Sequence, residues 1–477
     1  LLALDGRQLT AALWRSVPPD PLPSNHPKNI VYTSGTSGHK PKGLVCDTGG
    51  YTAGVAFTME TVFDVRAGSD VIHVDADPSW VTGQSYGITG PLTTRACSVV
   101  VSGMRDDRLL LSRLPESFAN IVRQLGVSLH VSSASFLKRL LRDPTQAEWL
   151  KQQQLYTRLR VAASCGEPLS PPLHKLGMKV LCRYYLNSYW ASEHGSIILG
   201  HCFGNSDQPL RGDTRMWSMP WVDAAVWIPT GRKPSGRKGY REVEPQARSQ
   251  LDIGSQKGRL VCKRPWPSMA RTVWGDGQRI GSPEWVGNLE LYRQTYWATF
   301  DNEDGEPAMA LDLFDWSQCW SDGSFSVLGS AREAMRLGDI KVSAVEIETT
   351  ILAASPSFLD CVAVSMAIDG LTQAVAFVVL RENDEMTELL SAQAKKQVHI
   401  DLGESCVPAF LVQVSALPRT HNSKVMRNVV QQMLLDSSGD VHELVSEIAN
   451  PSCLLELKAA IDEWRFVQMR PVIDERI

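Results

Sequence analysis

One loop near the start of the chain has the composition of a phosphate-binding loop. It runs from Tyr32 to Gly43, follows a short apolar strand expected at Asn29–Thr33, and reads YTSGTSGHKPKG. Glycines let the backbone approach an anion closely, and hydroxyl and backbone N–H groups can donate hydrogen bonds to phosphate oxygens. Lys42 adds a positive charge. The spacing is not that of a Walker loop. Taken alone, a loop of this composition is as often a plain turn as it is a phosphate-binding loop.

Four further motifs follow in an order that defines a resemblance. They are WVTGQSY from Trp80, CGEP from Cys165, SYWASEHG from Ser188 and LPRTHNSKVMR from Leu417. With them the chain resembles the adenylate-forming superfamily of acyl-CoA synthetases, non-ribosomal peptide adenylation domains and luciferases. Within it, the chain is most similar to short-chain acyl-CoA synthetases of the acetyl- and propionyl-CoA type. One residue is inserted between Gly38 and Pro41, and the resemblance covers nearly the whole chain from Asn29 onward.

The resemblance implies a reaction in two steps. Such enzymes join a carboxylate to the α-phosphate of ATP, release pyrophosphate and transfer the acyl group to CoA, and they require Mg²⁺. The first step brings two anions together, so cations must offset their repulsion. Glu193 matches the family's Mg²⁺-binding glutamate. A carboxylate oxygen is the type of ligand that a hard cation such as Mg²⁺ prefers. Lys424 matches the lysine that bridges the acyl carboxylate and the α-phosphate, with an ordinary surface lysine as the alternative.

An ATP site is also implied by the resemblance. Gly166, Glu167 and Pro168 match the segment that packs on adenine, and the ring of Tyr189 offers a face for stacking. Asp315 matches the aspartate that accepts hydrogen bonds from the ribose hydroxyls, although its flanking residues are atypical. Each of these could be an ordinary loop residue. The full set predicted to bind ATP is Thr33, Ser34, Gly35, Thr36, Ser37, Gly38, Lys42, Gly166, Glu167, Pro168, Asn187, Ser188, Tyr189, Ser192, Asp315 and Lys341.

The acyl pocket implied by the resemblance is small. Trp190 aligns with the indole that caps the pocket in acetyl-CoA synthetases, or is simply a core residue. Val81 and Thr82 match wall positions, and Cys165 replaces a frequent valine. An indole at the pocket floor excludes long chains, whereas one methylene is worth only ~1–3 kcal/mol. Acetate and propionate therefore both stay open as substrates.

Positions around the predicted hinge depart from the family pattern. Ser330 replaces an arginine that contacts the nucleotide, and Arg332 replaces the hinge aspartate. Asp339 replaces a glycine that lines the pantetheine tunnel, and Lys341 replaces an arginine, keeping the charge but not the planar fork. Loss of a hydrogen bond to a charged group lowers ATP use by roughly 10- to 150-fold. A second hypothesis is therefore a catalytically impaired paralogue or pseudoenzyme that keeps the fold and possibly nucleotide binding.

Two other functions are less favoured by the sequence. An adenylation unit that loads a carrier protein is a third possibility, but no carrier-type serine motif is visible. A hydrolase is less favoured, because the spacing G-x-S-x-G occurs only at Gly83–Gly87, within and directly after the WVTGQSY motif that carries the resemblance. Family members carry a longer portion ahead of the phosphate loop, without which strands of the large domain would expose an unpaired edge. A fragment, an incomplete gene model or a diverged paralogue is therefore the expectation.

The elements that must position these residues alternate between strand and helix. Besides the first strand, the expected strands are Val71–Val74, Val127–Val131, Arg160–Ala163 and Lys179–Tyr185, and the expected helices are Phe118–Leu125 and Ser135–Leu141. This order indicates a large, layered α/β domain over residues 1–329, incomplete at its N-terminus, with a mainly parallel sheet. The polar stretch Thr230–Lys257 is expected to be a solvated loop.

A small α+β domain is expected over residues 330–477, joined by a hinge at Gly329–Arg332. Its expected helices are Glu346–Ala353, Glu388–Ile400 and Lys424–Leu435, and its expected strands are Cys361–Met366, Ala374–Leu380 and Phe410–Val414. The predicted catalytic lysine therefore lies in a different domain from the phosphate loop.

Composition limits the classes of partner. The 477 residues contain 48 Lys plus Arg against 52 Asp plus Glu, so no basic excess favours nucleic acid. Apolar runs such as Ala374–Leu380 are far shorter than the ~20 residues needed to span a bilayer. The ten cysteines are scattered without a C-x-x-C pair, which favours a reduced intracellular compartment, cytoplasmic or mitochondrial. Small molecules are the predicted partners, and the oligomeric state stays open.

Overall fold

The computed structural model describes residues 20–33, 42–101, 114–243, 257–274, 287–368, 370–420, 424–435 and 448–468. Its strands up to residue 330 are β1 Pro27–Thr33, β2 Lys42–Asp47, β3 Val71–Val74, β4 Cys97–Val99, β5 Leu129–Ser132, β6 Val161–Ser164, β7 Tyr184–Asn187, β8 Leu199–Gly200, β9 Trp217–Ser218, β10 Ala224–Arg232, β11 Lys238–Glu242, β12 Lys257–Cys262, β13 Thr272–Val273, β14 Phe300–Asp301, β15 Pro307–Ala308, β16 Leu311–Cys319 and β17 Phe325–Ser330. Its helices there are α1 Thr48–Thr61, α2 Gly90–Thr94, α3 Leu114–Gln124, α4 Ala134–Leu140, α5 Pro144–Gln152, α6 Pro171–Val180 and α7 Leu289–Tyr296, with a π-helical segment at Gly83–Thr89 and a 3₁₀ turn at Leu155–Thr157.

A five-stranded parallel sheet forms one layer of the large domain. Its strand order is β4-β3-β5-β6-β7, and helices connect the strands on both faces. Side chains alternate between two buried clusters: Leu129 and Val131 join one, whereas Ala162 and Tyr185 join the other. Burial of both faces is typical of parallel sheets. The chain segments that follow β6 and β7 therefore emerge at the same edge.

The prediction of a mainly parallel domain was incomplete. A seven-stranded sheet of mostly antiparallel pairs, in the order β15-β14-β11-β10-β12-β16-β17, accounts for much of the large domain. The predicted loop at Thr230–Lys257 is also wrong over its first half, because β10 and β11 form a hairpin in which Trp227 stacks on Tyr240 at 3.7 Å. Residues 244–256 lie outside the described residues.

The strand predicted at Lys179–Tyr185 begins several residues further along the chain in the structure. Helix α6 extends to Val180, with prolines at its first turn, and β7 begins only at Tyr184. The short apolar run at the end of α6 carries no periodicity that separates a buried helix from a strand. The other predicted elements of the large domain are confirmed to within a few residues.

A third sheet, in the order β1-β2-β13, presents the predicted phosphate loop. Thr33 at the end of β1 pairs with Lys42 at the start of β2. The antiparallel pairing therefore holds the two ends of the loop next to each other. Residues 34–41, which include Ser34, Gly35, Thr36, Ser37 and Gly38, lie outside the described residues.

The small domain continues the numbering. Its elements are β18 Ala334–Leu337, β19 Ile340–Ser343, α8 Ala344–Ala354, β20 Phe358–Ile368, β21 Leu371–Leu380, α9 Glu388–Leu402, a 3₁₀ turn Glu404–Cys406, β22 Phe410–Gln413, α10 Arg427–Leu435 and α11 Cys453–Gln468. Strands β20, β21 and β22 form one sheet with a buried cluster on each face, one packed on α8 and α9 and the other on α10 and α11. The expected α+β unit is confirmed, although α10 begins at Arg427 rather than at Lys424.

Within the described residues, no helix has the length and apolar character needed to cross a bilayer.

Candidate functional site

A cleft of about 3290 Å³ lies between the two domains. It is lined by the ends of β1 and β2, by the segments that follow β6 and β7 in the parallel sheet, by β16 and by residues of the small domain. Pockets for one drug-sized ligand measure roughly 300–1,000 Å³, so this cleft has room for more than one substrate.

Next to the ends of β1 and β2, the cleft contains the buried carboxylate of Glu193. Glu193 hydrogen-bonds with the Tyr296 hydroxyl, which also contacts the side chain of Thr33. Burial raises the pKa of Glu193, while Tyr296 and the charge of Lys42 partly lower it. The structure thus brings together Thr33, Lys42 and Glu193 as predicted, and adds Tyr296, which no sequence motif had indicated.

The side of the cleft that is predicted to take the nucleoside, called the nucleoside side below, contains a contact between Tyr189 and Asp315. The Tyr189 hydroxyl donates a hydrogen bond to Oδ2 of Asp315. Burial raises the pKa of this carboxyl, whereas the Tyr189 hydroxyl and the ammonium of Lys424 lower it. Lys424 therefore points toward the same end of the cleft, although it comes from the small domain.

The backbone around Lys424 is held in a short hairpin. The Thr420 N–H donates to the Lys424 carbonyl at 2.9 Å, and the Lys424 N–H donates to Oγ1 of Thr420 at 3.2 Å. Arg419 and Val425 form a β-bridge at its base. The Lys424 side chain is exposed and lines the cleft.

One wall of the nucleoside side is built from the segment after β6. Gly166 has φ +82°, and a Cβ there would lie 2.9 Å from the Trp80 ring, so a glycine is required. Glu167 and Pro168 line the cleft beside it, and Ser135 donates to Oε2 of Glu167 at 2.5 Å.

The opposite wall follows β7. Asn187 donates to the Thr214 carbonyl at 2.8 Å, and Ser188 donates to the Ser164 carbonyl at 2.9 Å. Both residues line the cleft, but these bonds tie their side chains to the backbone. Asn187 and Ser188 therefore shape the wall on which Tyr189 and Ser192 are presented.

The four predicted acyl-pocket residues are brought together. Val81, Thr82 and Trp190 line the cleft, and Cys165 lies buried behind them with hydrogen bonds to Thr82 and Trp190. Burial raises the pKa of the Cys165 thiol to about 11, so it stays protonated. Tyr86, which the sequence prediction missed, packs edge-on against Trp190 at 5.2 Å.

The hinge region differs from the predicted arrangement in one respect. Lys341 does not line the cleft, because its ammonium lies 5.3 Å from the centre of the Trp316 ring on the exposed side of β19. By contrast, Arg332 does line the cleft, and its guanidinium stacks 4.0 Å from the centre of the Phe314 ring. In this domain arrangement Lys341 is not brought to the other predicted ATP-binding residues.

A metal ion would find limited protein ligands here. Among the residues that the structure describes, no group of three His, Cys, Asp or Glu side chains could hold one. Glu193 supplies a single carboxylate. Mg²⁺ is commonly bound through one or two carboxylates plus substrate phosphates, so the donor set fits Mg²⁺ only together with a polyphosphate.

Two family models match the chain: AMP-binding enzyme over residues 3–240, and AMP-binding enzyme C-terminal domain over residues 346–424. The chain belongs to the family of AMP-binding enzymes. The two matched regions contain the phosphate loop, Glu193 and Lys424, while the intervening region contributes Asp315 and Tyr296.

Curated relatives of the chain include two acetyl-coenzyme A synthetases. That of Pyrobaculum aerophilum is 30% identical over 454 residues, which cover 94% of this chain and 60% of the relative. That of Streptomyces coelicolor is 29% identical over 461 residues, which cover 93% of this chain and 62% of the relative. The chain therefore spans about 60% of the length of these relatives.

Solved structures of an acetoacetyl-CoA synthetase and of an anthranilate CoA ligase share the fold. An acetoacetyl-CoA synthetase from Streptomyces lividans matches with a TM-score of 0.65 and 17% identity, covering 97% of this chain and 65% of that chain. An anthranilate CoA ligase in complex with anthranoyl-AMP matches with a TM-score of 0.66 and 17% identity, covering 88% of this chain and 69% of that chain. Both support a mixed α/β architecture with a large N-terminal and a small C-terminal domain.

Proposed function

We propose that this protein uses ATP to convert a short carboxylic acid, acetate or propionate, to an acyl-adenylate and then transfers the acyl group to CoA. The supporting observation is that Lys424 of the small domain and Lys42 and Glu193 of the large domain line one cleft. The acetyl-coenzyme A synthetases among its relatives support the same reaction class.

In the first step, an oxygen of the carboxylate attacks the α-phosphorus of ATP. The bond from that phosphorus to the bridging oxygen breaks, and pyrophosphate leaves. The Lys424 ammonium offsets the repulsion between the carboxylate and the α-phosphate, and Lys42 does the same at the phosphate tail. Asp315 accepts hydrogen bonds from the ribose hydroxyls, and Tyr189 orients it.

Glu193 is the proposed ligand for Mg²⁺. When bound, Mg²⁺ supplies positive charge that offsets the developing charge on the pyrophosphate. Tyr296 holds the carboxylate of Glu193 in place through its hydroxyl. Burial disfavours the charged form of this carboxyl, so an approaching cation is the natural partner for it.

In the second step, the sulfur of CoA attacks the acyl carbon, AMP leaves with its phosphate oxygen, and the thiol proton passes to solvent. Lys424 occupies the cleft in the present arrangement, so the small domain must turn to admit CoA. We place the boundary between residues 1–329 and 330–477 at Gly329, which has φ +93° at the end of β17.

We assign the remaining predicted residues to binding roles. Trp190, Val81, Thr82 and Cys165 form a short acyl pocket, which suits acetate or propionate. The other ATP contacts are those predicted from the sequence, with Lys341 reaching the site only if the small domain turns. The scattered thiols support an intracellular location, cytoplasmic or mitochondrial.

The test is acid-dependent exchange of labelled pyrophosphate into ATP, with acetate and propionate offered separately and Mg²⁺ present. We expect exchange with both acids and none without an acid. A chain that binds ATP in calorimetry but shows no exchange with any short acid would instead be an impaired paralogue. Formation of the acyl-CoA, measured by chromatography, tests the second step independently.

A further inference from the structure

Five polar side chains form a cluster across the domain interface, and three of them, Lys138, Glu167 and Asp360, line the cleft. Ser135, Lys138 and Glu167 belong to the large domain, and Asp360 and Arg419 belong to the small domain. We refer to these five residues as the interdomain ion cluster.

Two carboxylates and two cations alternate in this cluster. Lys138 contacts Oδ1 of Asp360 at 2.5 Å, and Arg419 pairs with Oδ2 of the same carboxylate. Arg419 also donates to Oγ of Ser135 at 2.6 Å and lies 3.9 Å from Oε2 of Glu167, to which Ser135 donates in turn. A continuous set of polar contacts therefore joins the domains.

The cluster is largely shielded from water. The side chains of Asp360 and Glu167 are each 9% exposed, and those of Lys138 and Arg419 are 13% and 18% exposed. Burial by itself would raise the pKa of Asp360, but Lys138 and Arg419 outweigh it and the pKa is lowered. Removing one member of a buried ion pair leaves an uncompensated charge, which is strongly unfavourable. The cluster therefore favours the present orientation of the two domains.

Arg419 connects the two halves of the site. On one side it lies against Glu167, which adjoins Gly166 in the wall of the nucleoside pocket. On the other, its backbone forms the bridge to Val425 that closes the hairpin around Lys424. Any movement of Arg419 away from the large domain moves Lys424 with it.

We propose that Arg419 is a positioning residue: it ties the Lys424 hairpin to the large domain in the arrangement needed for adenylate formation, and it must be released before the small domain can turn. This inference rests on the proposed function for its kinetic consequence only. The effect on domain arrangement does not require that any reaction take place.

The first test measures domain arrangement without substrate. Small-angle X-ray scattering compares the parent protein with R419A and K138A, which weaken the cluster from opposite domains. We expect a larger radius of gyration and a broader distance distribution for both variants. R465A is the matched control, because Arg465 is also 18% exposed but donates to the Leu434 carbonyl within the small domain. Melting curves and circular dichroism establish that each variant is folded.

The second test separates the two half-reactions. In single-turnover experiments we expect R419A to form the adenylate roughly 10- to 100-fold more slowly, since it loses hydrogen bonds to a charged partner. Conversion of supplied acyl-adenylate by CoA should change less than about threefold. R419K, which keeps the charge but loses the fork, should recover part of the adenylation rate. A purely structural defect would slow both half-reactions alike.

Several results would overturn the proposal. They are a parent that scatters as an extended particle, an R419A profile identical to those of the parent and R465A, or an equal loss in both half-reactions. If neither the parent nor any variant forms an adenylate, but R419A and K138A still have a larger radius of gyration than the parent, the proposed function is wrong while the role of Arg419 in domain arrangement stands.

Discussion

Lys424 acts electrostatically on the carboxyl of Asp315, although the two residues belong to different domains. Burial raises the pKa of this half-buried carboxyl, and Tyr189 and Lys424 are the groups that most strongly oppose the increase. If Asp315 binds the ribose as proposed, the Lys424 ammonium that lowers its pKa also lies near the position of the α-phosphate. Under the proposed function, the small domain is therefore oriented for the first half-reaction.

Removing this ammonium should affect one half-reaction selectively. We expect K424A to lower the rate of adenylate formation by roughly 10²- to 10³-fold, because the positive charge offsets repulsion between two anions. Turnover of supplied acyl-adenylate with CoA should be unchanged. Pyrophosphate exchange measures the first effect, and acyl-CoA formation measures the second.

The matched control for this variant is K396A, because Lys396 is exposed on α9 of the same domain and does not line the cleft. It should exchange pyrophosphate as the parent does. Equal activity of K424A and K396A would show that Lys424 has no part in the reaction.

The acyl pocket offers a prediction about specificity. Trp190 is 7% exposed and packs against Tyr86 and Cys165, so W190A opens space where, under the proposed function, the indole excludes a longer chain. We expect the ratio of kcat/KM for hexanoate over acetate to rise by at least about 10-fold, since each accommodated methylene contributes ~1–3 kcal/mol. An unchanged ratio, in a variant that still uses acetate, would place Trp190 outside the substrate pocket.

Local motifs predicted much of the site but only part of the fold. Thr33, Glu193 and Trp190 could be found because each lies within a contiguous signature, and the structure brings them to one cleft. Tyr296 could not, since it lies in a short helix whose tyrosines have no distinctive spacing, and its role arises from tertiary contact with Glu193.

The antiparallel sheet shows the same limit at the level of the fold. Charged and glycine-rich residues around β10 and β11 suggested a loop, yet Trp227 and Tyr240 pair across the strands and bury that face. Cross-strand packing of this kind outweighs local propensity. Likewise Asp360 lies 59 residues from Arg419 and belongs to no motif, so the pairing of the two residues is visible only in three dimensions.

Buried histidines should make the protein less stable in mild acid. Burial, together with His174 and Arg211, lowers the pKa of His201 to about 4, against the opposing effect of Asp213. An unfolded histidine binds a proton near pH 6.5, so below this pH the unfolded state binds more protons. The contribution of neutral His201 is therefore fully present above pH 6.5 and is lost progressively as the pH falls from 6.5 toward a pKa of about 4.

The measurement is urea unfolding of the parent and of H201Q at pH 7.5 and pH 5.5. Between these two values the parent should lose about 1 kcal/mol more unfolding free energy than H201Q, which has no proton to bind. A matching loss in both proteins would mean that His201 titrates alike in the folded and unfolded states.

The end of β17 depends on a glycine for backbone geometry. Gly329 has φ +93°, and a Cβ at this position would lie 2.6 Å from Cγ2 of Val345 in the first turn of α8. G329A therefore combines an unfavourable backbone conformation with a steric clash, and we expect it to lower the unfolding free energy by about 1–3 kcal/mol. G231A is the control, because a Cβ on Gly231 in β10 would meet no atom within 4 Å.

Since Gly329 is also the first residue of the proposed hinge, the clash with Val345 should be relieved if the small domain turns. In small-angle X-ray scattering, G329A should then broaden the distance distribution, while G231A leaves it unchanged. A G329A variant as stable and as compact as the parent would show that Gly329 is not part of the hinge.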